Sequence, residues 1–152
     1  KSAEKGDRRF QNVGTWHGMT LIDDYAHHPS EVHALIEQAE HEFKNFCLVF
    51  QPHRISRFTA FYDKFREVLK NVGTLIVLPV YSAGEKCDGR ASKELYEELK
   101  CGNDFVFYAE NIDKAAEIIM ENEKRFHASA IVSVGAGDVN TIFAKLMNGE
   151  SR

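Results

Sequence analysis

Phe46-Cys47-Leu48-Val49-Phe50-Gln51-Pro52-His53-Arg54 passes within nine residues from an unbroken apolar run to a polar, cationic segment. An apolar run of this length reads as a strand buried on both faces, as in parallel sheets. Thr74 to Val80, Ala130 to Val134 and the short Phe105-Val106-Phe107 read the same way. Between these runs apolar residues return at helical spacing. Pro29 suits a first helical position, and Val32, Leu35, Ile36, Ala39 and Phe43 follow it. Ser56 to Lys70 predicts one helix, with Phe58, Phe61, Tyr62, Phe65, Val68 and Leu69 on one side. Further helices are predicted over Ser92–Leu99, over Ile112–Glu123 with Glu110 or Asn111 near its cap, and over Val139–Met147. Upstream, Arg9 to Thr15 and Met19 to Asp23 flank the turn Trp16-His17-Gly18 and predict an antiparallel pair. The alternation predicts a three-layer α/β/α, Rossmann-like domain: a mostly parallel sheet with an antiparallel N-terminal strand pair.

The 152 residues suffice for one domain with one core. Nineteen basic residues against 23 acidic ones, a net charge of −4, argue against a nucleic-acid surface. No apolar run approaches the roughly 20 residues that span a bilayer, and no membrane insertion is expected. The charged start, Lys1 to Arg9, has no signal-peptide core. Cys47, Cys87 and Cys101 form no CxxC pair; they read as small, buried or inert thiols in a reduced, cytoplasmic compartment.

In such a sheet, ligands bind beyond the carboxyl ends of the strands. Four segments there carry chemistry. Asp23-Asp24-Tyr25-Ala26-His27-His28-Pro29 puts two carboxylates, a phenol and two imidazoles ahead of a helix N-terminus. A carboxylate here could accept from a ribose diol, or could simply cap the turn by accepting backbone N–H groups. Metal binding by His27, His28 and His33 is disfavoured. Adjacent side chains point apart, and the spacing from His28 to His33 misses the i, i+4 pattern. Gln51-Pro52-His53-Arg54-Ile55-Ser56-Arg57 brings Arg54 and Arg57 to one face of a helix start. Arginine grips carboxylate or phosphate bidentately. The macrodipole disfavours cations at that end, so a sequence that keeps them there has a use for the charge. Tyr81-Ser82-Ala83-Gly84-Glu85 is either a binding loop or a long surface connection. Gly135-Ala136-Gly137-Asp138 allows close backbone approach, but Asn140 stands where a dinucleotide fingerprint needs its third glycine. The chain contains no GxxxxGK[ST] phosphate loop and no GxSxG.

Taken together and in order, Arg8-Arg9-Phe10-Gln11, Asp23 to Glu31, Phe50 to Arg54, Val80 to Glu85 and Gly135 to Asp138 resemble the C-terminal domain of the Mur ligase family. The likeness covers nearly the whole chain and fits the alanine-adding branch of the family. It departs at Ala26, where many relatives carry glycine. The resemblance implies that residues 1–152 are one of three domains. The UDP-binding N-terminal domain and the central P-loop domain, with its Mg2+, would lie outside them. It implies ATP-dependent joining of L-alanine to UDP-N-acetylmuramic acid through an acyl phosphate, with this domain closing over ATP and inactive alone. By position it implies ATP binding by Arg9, Asp24, Tyr25 and His27. L-Alanine would be held by His53, Arg54 and Arg57, with His28 nearby. Tyr81, Glu85, Gly135 and Gly137 would border the substrate, and no residue here would be catalytic or bind metal. Two alternatives stay open, a stand-alone anion- or nucleotide-binding module and the related murein-peptide recycling ligase. A small hydrolase built on the histidines ranks far below both.

Overall fold

The computed structural model describes residues 9–150. Arg8, the first arginine of the quoted pair, lies outside them. A six-stranded sheet runs in the order β1-β2-β6-β3-β4-β5. Its strands are β1 (Gln11–Trp16), β2 (Met19–Asp24), β3 (Phe46–Phe50), β4 (Thr74–Val77), β5 (Val106–Tyr108) and β6 (Ala130–Val134). β1 and β2 pair antiparallel; every other pairing is parallel. The helices are α1 (Pro29–Glu42), α2 (Ile55–Ala60), α3 (Tyr62–Leu69), α4 (Ser92–Leu99), α5 (Ile112–Phe126) and α6 (Ile142–Glu150), the last entered through a 3₁₀ turn at Val139–Thr141.

Alternate residues of each central strand feed opposite cores, because the strand period is two. Leu48, Phe50, Leu75, Val77, Val132 and Val134 pack with Val32, Phe58, Tyr62, Phe65, Leu69 and Leu95 of α1 to α4. Cys47, Val49, Ile76 and Ile131 face the other way, onto Ala115, Ile119, Phe126, Ile142 and Leu146 of α5 and α6. The expected three layers are therefore present. No helix among the described residues is long and apolar enough to cross a membrane.

Three local expectations need correction. The first turn contains only His17 and Gly18, since Trp16 pairs with Met19. Both turn residues have positive φ, 51° and 81°, the pattern of a type I′ hairpin turn whose twist matches its strands. The helix expected over 56–70 breaks at Phe61 (φ −110°, ψ 19°). Its apolar stripe carries through the break, because Phe58, Tyr62, Phe65 and Leu69 all stay buried. β4 ends at Val77, short of Val80. The Leu78 N–H still donates to the Phe50 carbonyl (2.9 Å), but Pro79 has no N–H to continue the ladder. Cys47 alone of the three thiols is buried, and burial pushes it up to about 12, so it stays protonated; Cys87 and Cys101 are exposed.

Candidate functional site

β2, β6, β3 and β4 present their carboxyl ends along one rim of the sheet. After β2 the buried Asp24 organises its own loop. Oδ1 accepts from Ala26 N and Oδ2 from Phe10 N, both at 2.8 Å. The capped-turn alternative weighed from the sequence is thus realised in these bonds. Burial pushes the Asp24 carboxyl above its usual range, against the pull of these N–H groups and of Arg9.

Glu31 is the residue that the sequence reading quoted but gave no role. Its Oε1 accepts from the backbone N–H groups of His27 and His28, each at 3.2 Å, and Oε2 meets the exposed Arg9 guanidinium at 3.3 Å. His28 is the N-cap of α1, and a glutamate three residues on is the signal of half a capping box. Burial pulls the Glu31 carboxyl up, but the two N–H bonds and the His27 and Arg9 charges outweigh it and hold it below the ordinary 4.5. Its folded value lies under its unfolded one, so its stabilisation is full above 4.5 and is lost as pH falls through the lower, folded value. Glu31→Gln keeps the Oε1 acceptor and removes the titration. We expect it to lower stability at neutral pH by about 1 kcal/mol or less. Thermal melts from neutral pH down past 4.5 should show a shallower acid limb than wild type.

The two adjacent histidines diverge. His27 bonds the Tyr25 carbonyl through Nδ1 (3.0 Å) and sets its ring edge-on to Tyr25 and 6.1 Å from the His53 ring. His28 turns toward Ser30 and lies against Phe61, at the break between α2 and α3. The structure therefore brings His27 and His53 together and leaves His28 to one side.

After β3, Gln51 is buried and donates from Nε2 to Asp138 Oδ1 (2.9 Å), tying this loop to the glycine loop after β6. That cross-link is invisible in sequence, because its partners are 87 residues apart. Gly135 and Gly137 are explained by close approach. A Cβ at Gly135 would lie 2.8 Å from the Gln51 carbonyl oxygen, and one at Gly137 2.7 Å from Cγ of Tyr81. Tyr81 bridges to His53, donating from its N–H to Pro52 O (2.8 Å) and accepting from Arg54 N (2.7 Å). Its ring stacks on the His53 imidazole at 5.5 Å and 11°.

Arg57 donates from one nitrogen to the His53 carbonyl (2.9 Å) and to His53 Nδ1 (3.3 Å). Arginine only donates, so Nδ1 is the acceptor and the imidazole carries its proton on Nε2. Burial, then the Arg57, His27 and Arg54 charges, pull His53 below the usual histidine range, so it is neutral at physiological pH. Arg54 caps α2 with φ +75°, a conformation that costs a non-glycine residue of order 1–3 kcal/mol and that concentrates at functional sites. The cationic helix start noted in the sequence is answered by Glu85. Its carboxylate accepts from Ser56 N (3.1 Å) and from the Ser56 hydroxyl, and stands 3.5 Å from Arg54. Those Ser56 bonds, the hydroxyl's first, hold Glu85 below the usual carboxylate range. Glu85 is thus the anion at the positive end of α2. Among the described residues no group of three or more His, Cys, Asp or Glu could hold a metal ion.

A doubly covered α/β sheet with cationic, glycine-bordered loops gathered at its strand carboxyl ends is an architecture in which ligands bind at that rim. The chain belongs to the Mur ligase family: residues 8–139 match the family described as Mur ligase, glutamate ligase domain. It is 37% identical to a UDP-N-acetylmuramate–L-alanine ligase of Synechococcus sp. (strain CC9605), over 91% of this chain and 32% of that protein. A protein of the same name from Carboxydothermus hydrogenoformans is 35% identical, over 92% and 30%. The chain thus spans under a third of the length of these curated relatives. The crystal structure of a UDP-N-acetylmuramate–alanine ligase from Thermotoga maritima superposes with a TM-score of 0.69 at 25% identity, over 95% of this chain and 30% of that one. A murein peptide ligase from Psychrobacter arcticus shares the fold, with a TM-score of 0.67 at 18% identity, over 93% and 29%.

Proposed function

We propose that the chain is the C-terminal, amino-acid-delivering domain of an ATP-dependent ligase that joins L-alanine to UDP-N-acetylmuramic acid in peptidoglycan precursor synthesis, in the bacterial cytoplasm. The UDP-sugar and the P-loop would be held by further domains, outside residues 1–152. The observation that carries this reading is the rim itself. His27 after β2 lies 6.1 Å from His53 after β3, which supports a reading in which the residues matched to nucleotide and those matched to the alanine carboxylate would serve one site.

Arg54 and Arg57 would hold the carboxylate, and neutral His53 would donate to it from Nε2. Arg9, Asp24, Tyr25 and His27 fit one side of a nucleotide. They offer a cation, two rings and a carboxylate whose oxygens each keep a second acceptor direction. ATP, when bound, supplies the phosphoryl group that activates the sugar's carboxyl. The described residues offer no donor set for Mg2+, and the reading places that ion on the central domain. This chain's part is positioning. Holding the amine against the activated carboxyl saves the entropy of a bimolecular encounter, worth up to ~7–11 kcal/mol in well-oriented systems. Closure also keeps water from hydrolysing it.

The full-length protein, given ATP, L-alanine and UDP-N-acetylmuramic acid, is expected to release ADP and phosphate and to form the alanyl amide. Residues 1–152 alone are expected to release no phosphate. Ligation of a pre-formed peptide with no use of free L-alanine would count for the recycling ligase. Micromolar ATP binding by the isolated chain in calorimetry would count for a stand-alone module, since half a site binds weakly.

A further inference from the structure

α2 starts without a local cap. Its N-cap, Arg54, makes no side-chain cap bond, and its first turn holds no acidic residue. Arg54 and Arg57 add positive charge at the end where free N–H groups already concentrate it. Compensation comes from the loop after β4. Ala83 and Gly84 both have positive φ, 55° and 86°, and the Glu85 N–H donates to the Ser82 carbonyl (3.1 Å), the pattern of a type I′ turn. That reversal returns Glu85 to α2. One carboxylate oxygen accepts from Ser56 N (3.1 Å); the other accepts from the Ser56 hydroxyl and stands 3.5 Å from Arg54. The Arg54 backbone is held from the same loop, its N–H donating to the Tyr81 carbonyl (2.7 Å). Both Glu85 oxygens are therefore engaged with α2, and the side chain is only 15% exposed.

We propose that Glu85 is a positioning residue for the amino-acid carboxylate, capping α2 from 29 residues away and fixing Arg54 before the ligand arrives; this rests on the ligase reading above. Phe58 seats the body of α2 in the core, and Glu85 sets the bearing of its first turn. When alanine binds, Arg54 serves two carboxylates, one from the protein and one from the ligand. Its planar fork of five N–H donors has the capacity for both. Without Glu85 the Arg54 side chain and the uncapped first turn become ordered only on binding, and that cost falls on the ligand that Arg54 holds.

The test uses the full-length protein as wild type, Glu85→Ala, Glu85→Gln, Arg54→Ala and the double variant Arg54→Ala/Glu85→Ala, with ADP release measured while L-alanine and ATP are varied in turn. Glu85→Ala should raise the KM for L-alanine about tenfold, the scale of a lost helix cap, and leave the KM for ATP nearly unchanged. Glu85→Gln keeps an acceptor for Ser56 N and should recover most of that loss. Because Glu85 acts through Arg54, the double variant should raise the KM for L-alanine by less than the product of the two single effects. Should Glu85→Ala fail to fold, Ser56→Ala, which removes the hydroxyl donor, decides by the same split between the two KM values. Glu85→Gln as damaging as Glu85→Ala, or single effects that multiply in full, would make Glu85 a direct ligand of the substrate and overturn the positioning role. A KM for L-alanine that stays put, or that moves no more than the KM for ATP, overturns it too and leaves the ligase reading standing. A wild-type protein that ligates no amino acid overturns both together.

Discussion

Arg57→Ala in the full-length protein is expected to raise the KM for L-alanine by about 10- to 150-fold, the equivalent of one charge-assisted hydrogen-bond pair, and to leave the KM for ATP nearly unchanged. Arg57 is oriented before any ligand arrives, by its bonds to the carbonyl and Nδ1 of His53. Little ordering entropy then remains to oppose carboxylate binding. Arg54 is more exposed and leans on Glu85, so Arg54→Ala should act in the same direction with a smaller effect. Arg57→Lys should rescue poorly, because an ammonium cannot bridge His53 and a carboxylate as a planar fork does. Initial rates with each substrate varied in turn would decide it. Equal changes in both KM values would remove the carboxylate role, because a residue serving only the nucleotide or the general fold has no reason to discriminate between them.

Which parts of this molecule could be read from its sequence follows from the range of the interactions involved. The buried strands were legible because both faces of each are covered, so every residue from Phe46 to Phe50 had to be apolar or small. The N-cap Asn111 was legible because its partner, Lys114 N, is three residues away. The end of β4 is masked in the sequence, since the apolar run continues past Pro79 although the proline stops the ladder. The break at Phe61 carries no such marker: the stripe from Phe58 to Leu69 keeps helical spacing through it. At the site, the cationic loop stood out by residue type. What tethers it did not. Glu85 reaches Ser56 across 29 residues and Gln51 reaches Asp138 across 87, and such pairs exist only once the sheet order is known. Glu31 is the exception. Its place three residues after the N-cap His28 is a local signal, carried in the chain beside the more conspicuous histidines.

Phe58→Ala is expected to be the most disruptive single change near the site, lowering folding stability by about 3–5 kcal/mol. α2 is six residues long, too short to persist on its own propensity, and Phe58 is its one buried side chain. That ring is fully buried between Tyr62 and Phe65, at 5.5 and 5.8 Å between centroids. Removing it leaves a cavity beneath the helix that carries Arg57 and whose N-terminus is Arg54. The anchor and the anion grip are therefore coupled, and denaturant unfolding and L-alanine kinetics should move together in this variant. Phe58→Leu, which refills most of the space, should recover much of both. If Phe58→Ala were to lose stability on this scale yet bind L-alanine as wild type does, α2 would be held in place by the Glu85 and Thr59 contacts of the 82–91 segment instead, and the packing account of the site would be wrong.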